Sequence, residues 1–340
     1  DTGRLSGGAA ATMGEEALTP KVVFAMILYS LSSGSMLLIN KLALHAVPLP
    51  GLVSTAQFVF AALCILIIKQ AGLAPVDDFV WSKVRAYLLY VGLFVVGIYT
   101  NMMAVSLANI ETIIVFRACC PIVVCLLEAA FLGRQLPSLR STFALLVIVV
   151  GACGYVYADK AFQVQGYAAY TWVSAYTFVT AIQMAYGKYI VGPDMKFQSM
   201  WGPTQYTNVL SIVPMLITGF VGNELPKLEH AEWSPRAMAL LLASCVVGLA
   251  ISFTGWYCRS QVTATCYTVL GVANKMLTVL VNLMIWDEHA GLAGIMWLIV
   301  CLGGATAYTQ APMREDETAK HRLLNEMAEV ESGNESEGGQ

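Results

Sequence analysis

One apolar segment, residues 261–285, contains the side chains best suited to bind a charged ligand. A lone lysine near its middle, Lys275, would cost about 2.5–3.5 kcal/mol to insert into hydrocarbon unless it faced a polar space. The polar and small residues around it are spaced so that they fall on one stripe of a helix, and the opposite face is apolar. The pattern predicts a helix that lines a ligand cavity. The alternative is that Lys275 pairs with a buried carboxylate and only holds helices together. The stripe contains Tyr267, Gly271, Asn274, Lys275, Thr278 and Asn282.

A second polar stretch opens the apolar segment 199–221. Thr204, Gln205, Asn208 and Ser211 fall on one side of a helix there. Amide side chains can donate to and accept from the edge of a nucleobase. This side of the segment is therefore predicted to face a hydrogen-bonding ring.

A third stripe, in residues 236–257, consists of small residues. Ser244 and Gly248 have the spacing that allows two helices to approach closely, so we interpret them as packing residues. Ser252 and Gly255 lie nearer to the stripe of residues 261–285 along the chain, and we expect them to reach the ligand.

Residues 21–44 form another apolar segment with one polar face. Asn40 and the adjacent Lys41 have two interpretations: they contact the ligand, or they cap the helix and extend to the membrane surface. The shared face carries Tyr29, Ser33, Met36 and Asn40.

The segment 111–132 contains a second lone cation, Arg117. Two roles are open for it. Arg117 holds an anionic group such as a phosphate, or it closes a gate by pairing with a carboxylate of Glu111 or Glu128. Together with Lys275, it suggests a ligand with anionic groups, hydroxyls and a hydrogen-bonding ring.

Motifs of common enzymes are missing from the sequence. It has no HExxH, Walker, GxSxG or CxxC pattern, and its four histidines and nine cysteines form no ligand cluster. We therefore predict no enzyme, no cofactor, no metal site and no nucleic-acid partner.

The composition determines which elements must position these residues. The chain is 57% hydrophobic and only 12% charged, with a mean hydropathy of +0.66, whereas soluble proteins carry about 25% charged residues. We predict an all-α integral membrane protein, because each apolar run is long enough to cross a bilayer. The ten runs are 21–44, 50–69, 84–106, 111–132, 140–158, 166–187, 199–221, 236–257, 261–285 and 291–311.

Charges in the loops predict the orientation. With the N-terminus in the cytosol, Lys and Arg concentrate on the cytosolic side, and only Lys160, Lys227 and Arg236 fall on the other. Ten spans divide into repeats of five, 21–158 and 166–311, and an odd number makes the second repeat inverted, as in secondary transporters. Residues 1–20 and 312–340 are predicted to be disordered cytosolic tails.

The string Gly271-Val-Ala-Asn-Lys275 resembles the G-x-x-N-K motif of nucleotide-sugar transporters in the drug/metabolite transporter superfamily, and the resemblance extends over nearly all of residues 21–311. The chain is most similar to the GDP-sugar branch, whose motif is F-Y-N-N followed by L-S and a proline. Residues 108–117 and 268–287 resemble plant and algal members that handle GDP-mannose, GDP-fucose or GDP-L-galactose. In the F-Y-N-N motif, Tyr206, Asn208, Ser211 and Pro214 match, while Gln205 and Thr207 replace the Phe and the first Asn.

The resemblance implies a role for each part of the site. Guanine would be recognised by Tyr206, Thr207, Asn208 and Ser252. Lys275 and Tyr267 would bind the diphosphate. The sugar would pack against Tyr29, Gly271, Val272 and Asn274.

The resemblance also implies a mechanism: a Golgi antiporter that imports a GDP-sugar into the lumen in exchange for GMP, with a homodimer as a candidate assembly. Three alternatives stay open. The same fold could carry a UDP-sugar or a sugar phosphate, and a receptor or scaffold is a third class. A receptor or scaffold, however, would not need a cation-bearing stripe through residues 261–285.

Overall fold

The computed structural model describes residues 19–107, 110–158, 167–192, 195–228, 233–285 and 292–314, with a few side chains in these ranges excepted. This part of the chain is helical and contains no β-strand, as predicted for an all-α protein. Each predicted apolar run overlaps one long helix among the described residues, and the short α8 adds a single turn. The helices are α1 (Pro20–Ala46), α2 (Pro50–Gln70), α3 (Trp81–Leu107), α4 (Ile110–Phe131), α5 (Leu139–Ala158), α6 (Tyr167–Ile190), α7 (Trp201–Val221), α8 (Leu225–Leu228), α9 (Pro235–Gln261), α10 (Ala264–Ile285) and α11 (Leu292–Ala307).

Two of the helices begin at the same local signal, a hydroxyl residue followed by proline. The Thr19 hydroxyl accepts from the Val22 amide at 3.4 Å, and the Ser234 hydroxyl accepts from the Ala237 amide at 3.2 Å. Such caps satisfy amides that have no partner within the helix, and proline fits the first turn because its missing N–H is not needed there. The cap and the proline together fix where α1 and α9 start.

Four of the described helices are long and apolar enough to cross a membrane by length and composition. They are Pro20–Ala46, Pro50–Gln70, Trp81–Ile98 and Pro235–Gln261, and two shorter apolar helices are Leu139–Tyr155 and Ala293–Ala307. Large apolar side chains such as Leu139, Val221 and Phe131 are exposed on the outside. A helical protein with this surface is typical of an integral membrane protein.

The helices pack in a pattern that repeats. Helices of the two halves contact each other, and five of these contacts are α1 with α9, α3 with α6, α2 with α7, α4 with α10 and α5 with α11. If α1 to α5 are matched in order with α6, α7, α9, α10 and α11, the first pair maps onto the second, and each of the other three maps onto itself. These five contacts therefore correspond to one another when the two halves of the chain are exchanged.

Glycines let α5 and α11 approach closely. A β-carbon at Gly151 would lie 2.7 Å from the Cys301 amide nitrogen, and one at Gly304 would lie 3.0 Å from the Ala144 carbonyl oxygen. At Gly154, the space of a β-carbon is filled by the Trp297 ring. This contact joins the end of the first half to the end of the second.

The end of α9 differs from the sequence prediction. Residues 258–260 fall between the predicted runs 236–257 and 261–285, but α9 continues to Gln261, and the Val262 amide donates to the Cys258 carbonyl at 3.1 Å. Arg259 therefore lies in the last turn of a helix, where only 7% of it is exposed. The rings of Tyr90 of α3, Trp256 of α9 and Tyr267 of α10 lie beside its charge, a packing that the sequence did not reveal.

The chain after α11 turns back onto the connection between α4 and α5. The Gln135 amide donates to the Pro312 carbonyl at 3.0 Å, and the Arg314 amide donates to the Gly133 carbonyl at 2.9 Å. Residues 312–314, the first positions of the predicted C-terminal tail, are thus held in place. The predicted tails otherwise fall almost wholly outside the described residues, which begin at Thr19 and end at Arg314.

Candidate functional site

Two cavities in the helix bundle share one residue in their walls, Tyr267 of α10. The larger cavity has a volume of about 340 Å³ and lies among α1, α2, α3, α7, α9 and α10. The smaller has a volume of about 80 Å³ and is enclosed by α1, α4, α6 and α10. Residues predicted from different segments of the sequence meet in these two spaces.

The larger cavity contains the polar pair that joins α7 to α9. The Asn208 amide nitrogen donates to the Ser252 hydroxyl at 2.7 Å and also to the Thr204 carbonyl at 2.7 Å. With both hydrogens of that nitrogen engaged, the Asn208 carbonyl oxygen is left to accept. Thr207 lines the same wall. The arrangement presents short polar groups with a fixed orientation to whatever occupies the cavity.

Two tyrosine rings stand where the cavities meet. Tyr29 and Tyr267 have ring centroids 4.7 Å apart, and Tyr29 lines the smaller cavity. The Tyr267 hydroxyl occupies space that Gly255 leaves open, because a β-carbon there would lie 3.2 Å from that oxygen. Gly255 thus allows α10 to place its tyrosine between the cavities.

The smaller cavity is lined by two cations. Lys275 extends from α10 into it, with an exposed side chain, and Arg117 extends from α4. The Arg117 guanidinium donates to the Tyr176 hydroxyl at 2.5 Å. Gly271 and Val272 line the same cavity, and a β-carbon at Gly271 would meet nothing within 4 Å. Two positive charges therefore converge on a space large enough for a small anionic group.

A third cation, Arg259, lines the larger cavity. Its guanidinium carbon lies over three rings, 4.6 Å from the centroid of Tyr267, 5.0 Å from Trp256 and 5.7 Å from Tyr90. It donates to the Tyr90 hydroxyl at 2.9 Å and contacts the Met184 sulfur at 3.3 Å. The rings stabilise the charge without neutralising it.

None of these three cations has a carboxylate partner among the described side chains. Two ion pairs among the described side chains, Lys69 with Asp78 and Lys83 with Asp77, lie away from the cavities, beside the connection between α2 and α3. The hydrogen bond from Lys69 lowers the pKa of Asp78. Because uncompensated cations are expensive in an apolar interior, the cavities are suited to an anionic ligand.

Glu128, one of the carboxylates expected to pair with Arg117, is engaged elsewhere. Its two oxygens accept from the Ala264 and Thr265 amides at 2.8 Å each, at the start of α10. The other candidate, Glu111, has its side chain outside the described residues, as does Thr278.

Several predicted site residues lie outside both cavities. Tyr206 is fully buried, and its hydroxyl donates to the Asp78 carbonyl and accepts from the Val80 amide, each at 2.7 Å. Ser211 and Asn274 are buried in α7 and α10. The structure thus brings together Tyr29, Thr207, Asn208, Ser252, Gly255, Tyr267, Gly271, Val272, Lys275 and Arg117 around the two cavities.

Asn40 reaches the larger cavity through a residue that the sequence analysis missed. Gln57 of α2 lines that cavity, and its amide nitrogen donates to the Asn40 carbonyl at 2.9 Å. It also lies 3.3 Å from the Ser244 hydroxyl, so it links α1, α2 and α9. A usable signal existed, because Gln57 is an isolated amide in the middle of an apolar run. The other missed residue, Arg259, falls between the predicted runs 236–257 and 261–285.

Comparison with known proteins gives relatives over most of the chain. GDP-fucose transporter 1 of Arabidopsis thaliana is 33% identical over 290 residues, which cover 83% of this chain and 84% of that protein. The GDP-mannose transporter GONST3 of the same plant is 32% identical over 307 residues, 88% of this chain and 81% of that protein. A GDP-mannose transporter of Pyricularia oryzae is 24% identical, covering 92% and 84%.

No protein-family model matches the chain. A protein of known crystal structure superposes with a TM-score of 0.60 at 14% identity, covering 85% of this chain and 95% of that one. At this identity the likeness concerns the fold alone.

Proposed function

Since this chain belongs to the GDP-sugar branch of the nucleotide-sugar transporters, we propose that it imports a GDP-sugar into the Golgi lumen in exchange for GMP. The observation that carries the proposal is the set of three cations around two adjoining cavities, with no carboxylate partner among the described side chains. A nucleoside diphosphate sugar supplies the missing negative charge. Its other two parts, a purine and a hydroxylated ring, suit the polar groups nearby.

The nucleoside end of the ligand is assigned to the larger cavity. Asn208, oriented by its bond to Ser252, offers a fixed acceptor to the guanine edge, as amide side chains do when they read bases. Thr207 lies on the same helix face, one position before Asn208. The motif residue Tyr206 shapes this end indirectly, because its ring packs in the aromatic cluster that includes Tyr87.

The diphosphate and sugar are assigned to the smaller cavity and its junction with the larger one. Lys275 and Arg117 supply charge, and Tyr267 stands between the two spaces. Gly271 leaves open room beside the helix, and Tyr29 offers a ring face against which a sugar can pack.

The transporter is proposed to span the bilayer ten times, as two inverted repeats with both tails in the cytosol. The packing of α1 on α9, matched by α3 on α6, supports this arrangement, because inverted repeats generate contacts in such pairs. The concentration of Lys and Arg in loops on one side supports the orientation.

Exchange follows from the charges in the site. When the site is empty, its cations must cross an occluded, water-poor state without compensation, and this raises the barrier to reorientation. GDP-sugar and GMP each carry negative charge, so either ligand lowers that barrier. The carrier therefore reorients rapidly only when loaded, which couples import of one ligand to export of the other.

The proposal is tested with purified protein in liposomes that are either loaded with GMP or empty. Uptake of radiolabelled GDP-mannose, GDP-fucose and GDP-L-galactose is compared with uptake of UDP- and CMP-sugars. We expect GMP-loaded vesicles to take up at least one GDP-sugar far faster than empty vesicles, and to take up the UDP- and CMP-sugars no faster than protein-free vesicles.

Two results would contradict parts of the proposal separately. Equal uptake into loaded and empty vesicles would identify a uniporter and remove the exchange mechanism. Preferential uptake of a UDP-sugar or a sugar phosphate would remove the substrate assignment. Localisation is tested on its own, by imaging the full chain together with a Golgi marker.

A further inference from the structure

We propose that Arg259 binds the phosphate attached to the nucleoside, so that the site divides its two phosphate contacts between Arg259 on one side of Tyr267 and Lys275 on the other. The inference rests on the proposed function and names a residue for which the G-x-x-N-K and F-Y-N-N motifs gave no signal. GMP contains only the phosphate attached to the nucleoside, whereas a GDP-sugar also contains the phosphate attached to the sugar. The two ligands should therefore depend differently on Arg259 and Lys275.

The position of Arg259 is the first step. It lines the cavity that also contains Asn208 and Ser252, whereas Lys275 lines the other cavity. Ser252 and Arg259 are seven residues apart on α9, about 10 Å along the helix at 1.5 Å per residue. A nucleoside monophosphate spans a comparable length from its base edge to its phosphate.

The second step is that Arg259 has an unused donor. It is more than nine-tenths buried, yet its Nε has no hydrogen-bond partner in the described structure. The two hydrogen bonds that its guanidinium donates go to a phenol and a thioether, Tyr90 and Met184. Buried donors are normally satisfied, and a phosphate oxygen is the acceptor that a guanidinium binds best.

The third step is the way neighbouring helices hold the guanidinium in place. Gly187 of α6 has no side chain, and a β-carbon there would lie 2.3 Å from Nη1 of Arg259. Lys188 of the same helix donates to the Arg259 carbonyl at 2.8 Å and fixes the end of α9. The chain thus positions this cation from two sides and surrounds it with rings rather than acids.

The distance along α10 separates the two phosphate contacts. Tyr267 lies 4.6 Å beneath the Arg259 guanidinium, and Lys275 is eight residues further along, about 12 Å at 1.5 Å per residue. Arg259 therefore acts at the nucleoside side of the ligand, and Lys275, with Arg117, acts at the sugar side.

The test compares ligands that differ by one phosphate. Ligand-dependent melting of the purified full chain gives half-saturating concentrations for guanosine, GMP and GDP-mannose. For Arg259→Gln we expect GMP and GDP-mannose each to weaken at least tenfold, with guanosine changed less than twofold. In the matched variant Lys275→Gln, GDP-mannose is expected to weaken at least tenfold and GMP much less.

A second variant keeps the positive charge of Arg259 but displaces its guanidinium. Gly187→Ala places a methyl group against the guanidinium, and we expect it to reduce the preference for GMP over guanosine by the same mechanism, with the ligand-free protein still folded. If Arg259→Gln weakened guanosine as much as GMP, or left GMP unchanged, Arg259 would be a structural residue and the inference would be wrong.

The experiment distinguishes a wrong substrate assignment from a wrong role for Arg259. If the unmodified protein prefers UMP to GMP, the guanine assignment fails, but the ratio of UMP to uridine binding tests Arg259 in the same way. An Arg259→Gln effect on that ratio would still support the phosphate contact.

Discussion

Charged groups inside this protein are treated in opposite ways at the helix junctions and in the cavities. At the junctions, both oxygens of Glu224 accept from the amides of Gly51 and Leu52, at 2.9 and 3.0 Å, and Glu128 binds the start of α10 in the same manner. In the cavities, Arg259 and Lys275 have no described carboxylate near them. The two acids accept from backbone amides, and Glu128 accepts from the Thr265 hydroxyl as well, whereas the cations in the cavities face aromatic rings and open space.

The difference shows how one chain separates stability from binding. A carboxylate at a helix N-terminus gains from the exposed amides and from the helix dipole, so Glu128 and Glu224 join helices without using a cation. The same use of the acids keeps them from neutralising the ligand site. Four predictions examine this separation, beginning with the largest effect.

Lys275→Ala is expected to abolish exchange while the protein stays folded. Loss of a charge-assisted contact to phosphate removes about 1.5–3 kcal/mol of binding or more, and removing an uncompensated cation should leave the ligand-free melting temperature unchanged or higher. Uptake into GMP-loaded liposomes measures the first effect. Lys69→Ala, which removes an exposed ion pair with Asp78, is the control and should transport normally. Near-normal uptake by Lys275→Ala would show that this cation is not needed for ligand binding.

Glu128→Ala is expected to lower the melting temperature by several degrees. The change leaves the Ala264 and Thr265 amides without their acceptor, and each hydrogen bond to a charged group is worth about 1.5–3 kcal/mol. Glu224→Ala should have a similar effect through α2. The ligand-free protein is followed by thermal unfolding in detergent. An unchanged melting temperature in both variants would show that these carboxylates do not hold the junctions.

Asn208→Ala is expected to weaken GMP and the GDP-sugar equally, by about 1–3 kcal/mol for a contact to a base edge. Both ligands contain guanine, so the ratio of their affinities should not change. The two affinities are measured by the ligand-dependent shift of the melting temperature with each compound. A loss confined to the GDP-sugar would move Asn208 to the sugar side of the site.

Gly255→Ala is expected to produce the smallest effect, a weakening of about 1 kcal/mol for both ligands. The added methyl group would lie 3.2 Å from the Tyr267 hydroxyl and must displace that ring slightly. Gly34→Ala on α1 is the control, because a β-carbon there meets nothing within 4 Å. Equal behaviour of the two variants would mean that Tyr267 does not need its present position.

The sequence predicted the helices well because apolar runs of this length leave few alternatives. The all-α class and the resemblance to GDP-sugar transporters are confirmed, whereas the ten membrane crossings and the inversion of the repeats stay predictions. The predicted run 236–257 ended four residues before α9 does, and the difference has a physical reason. A charged residue near the end of an apolar run is normally exposed, and only the rings of Tyr90, Trp256 and Tyr267 allow Arg259 to be buried.

The sequence could predict which residues share a cavity where one helix face carries them, and their role in binding stays a prediction. The spacing of Tyr267, Gly271 and Lys275 along α10 was sufficient to place them together. Contacts between segments far apart in the sequence could not be predicted from helical spacing. The bond from Gln57 to Asn40 depends on how α2 packs beside α1, and the position of Tyr206 depends on a loop that folds back over it. Helical spacing contains no information about either.

The glycines between α5 and α11 have a mechanical consequence. With Gly151, Gly154 and Gly304 filled by atoms of the opposite helix, the two backbones have no room to slide past each other. The two halves of the chain are therefore held together along these two helices. A motion of one half against the other is therefore expected to keep the contact between α5 and α11 and to rotate about it.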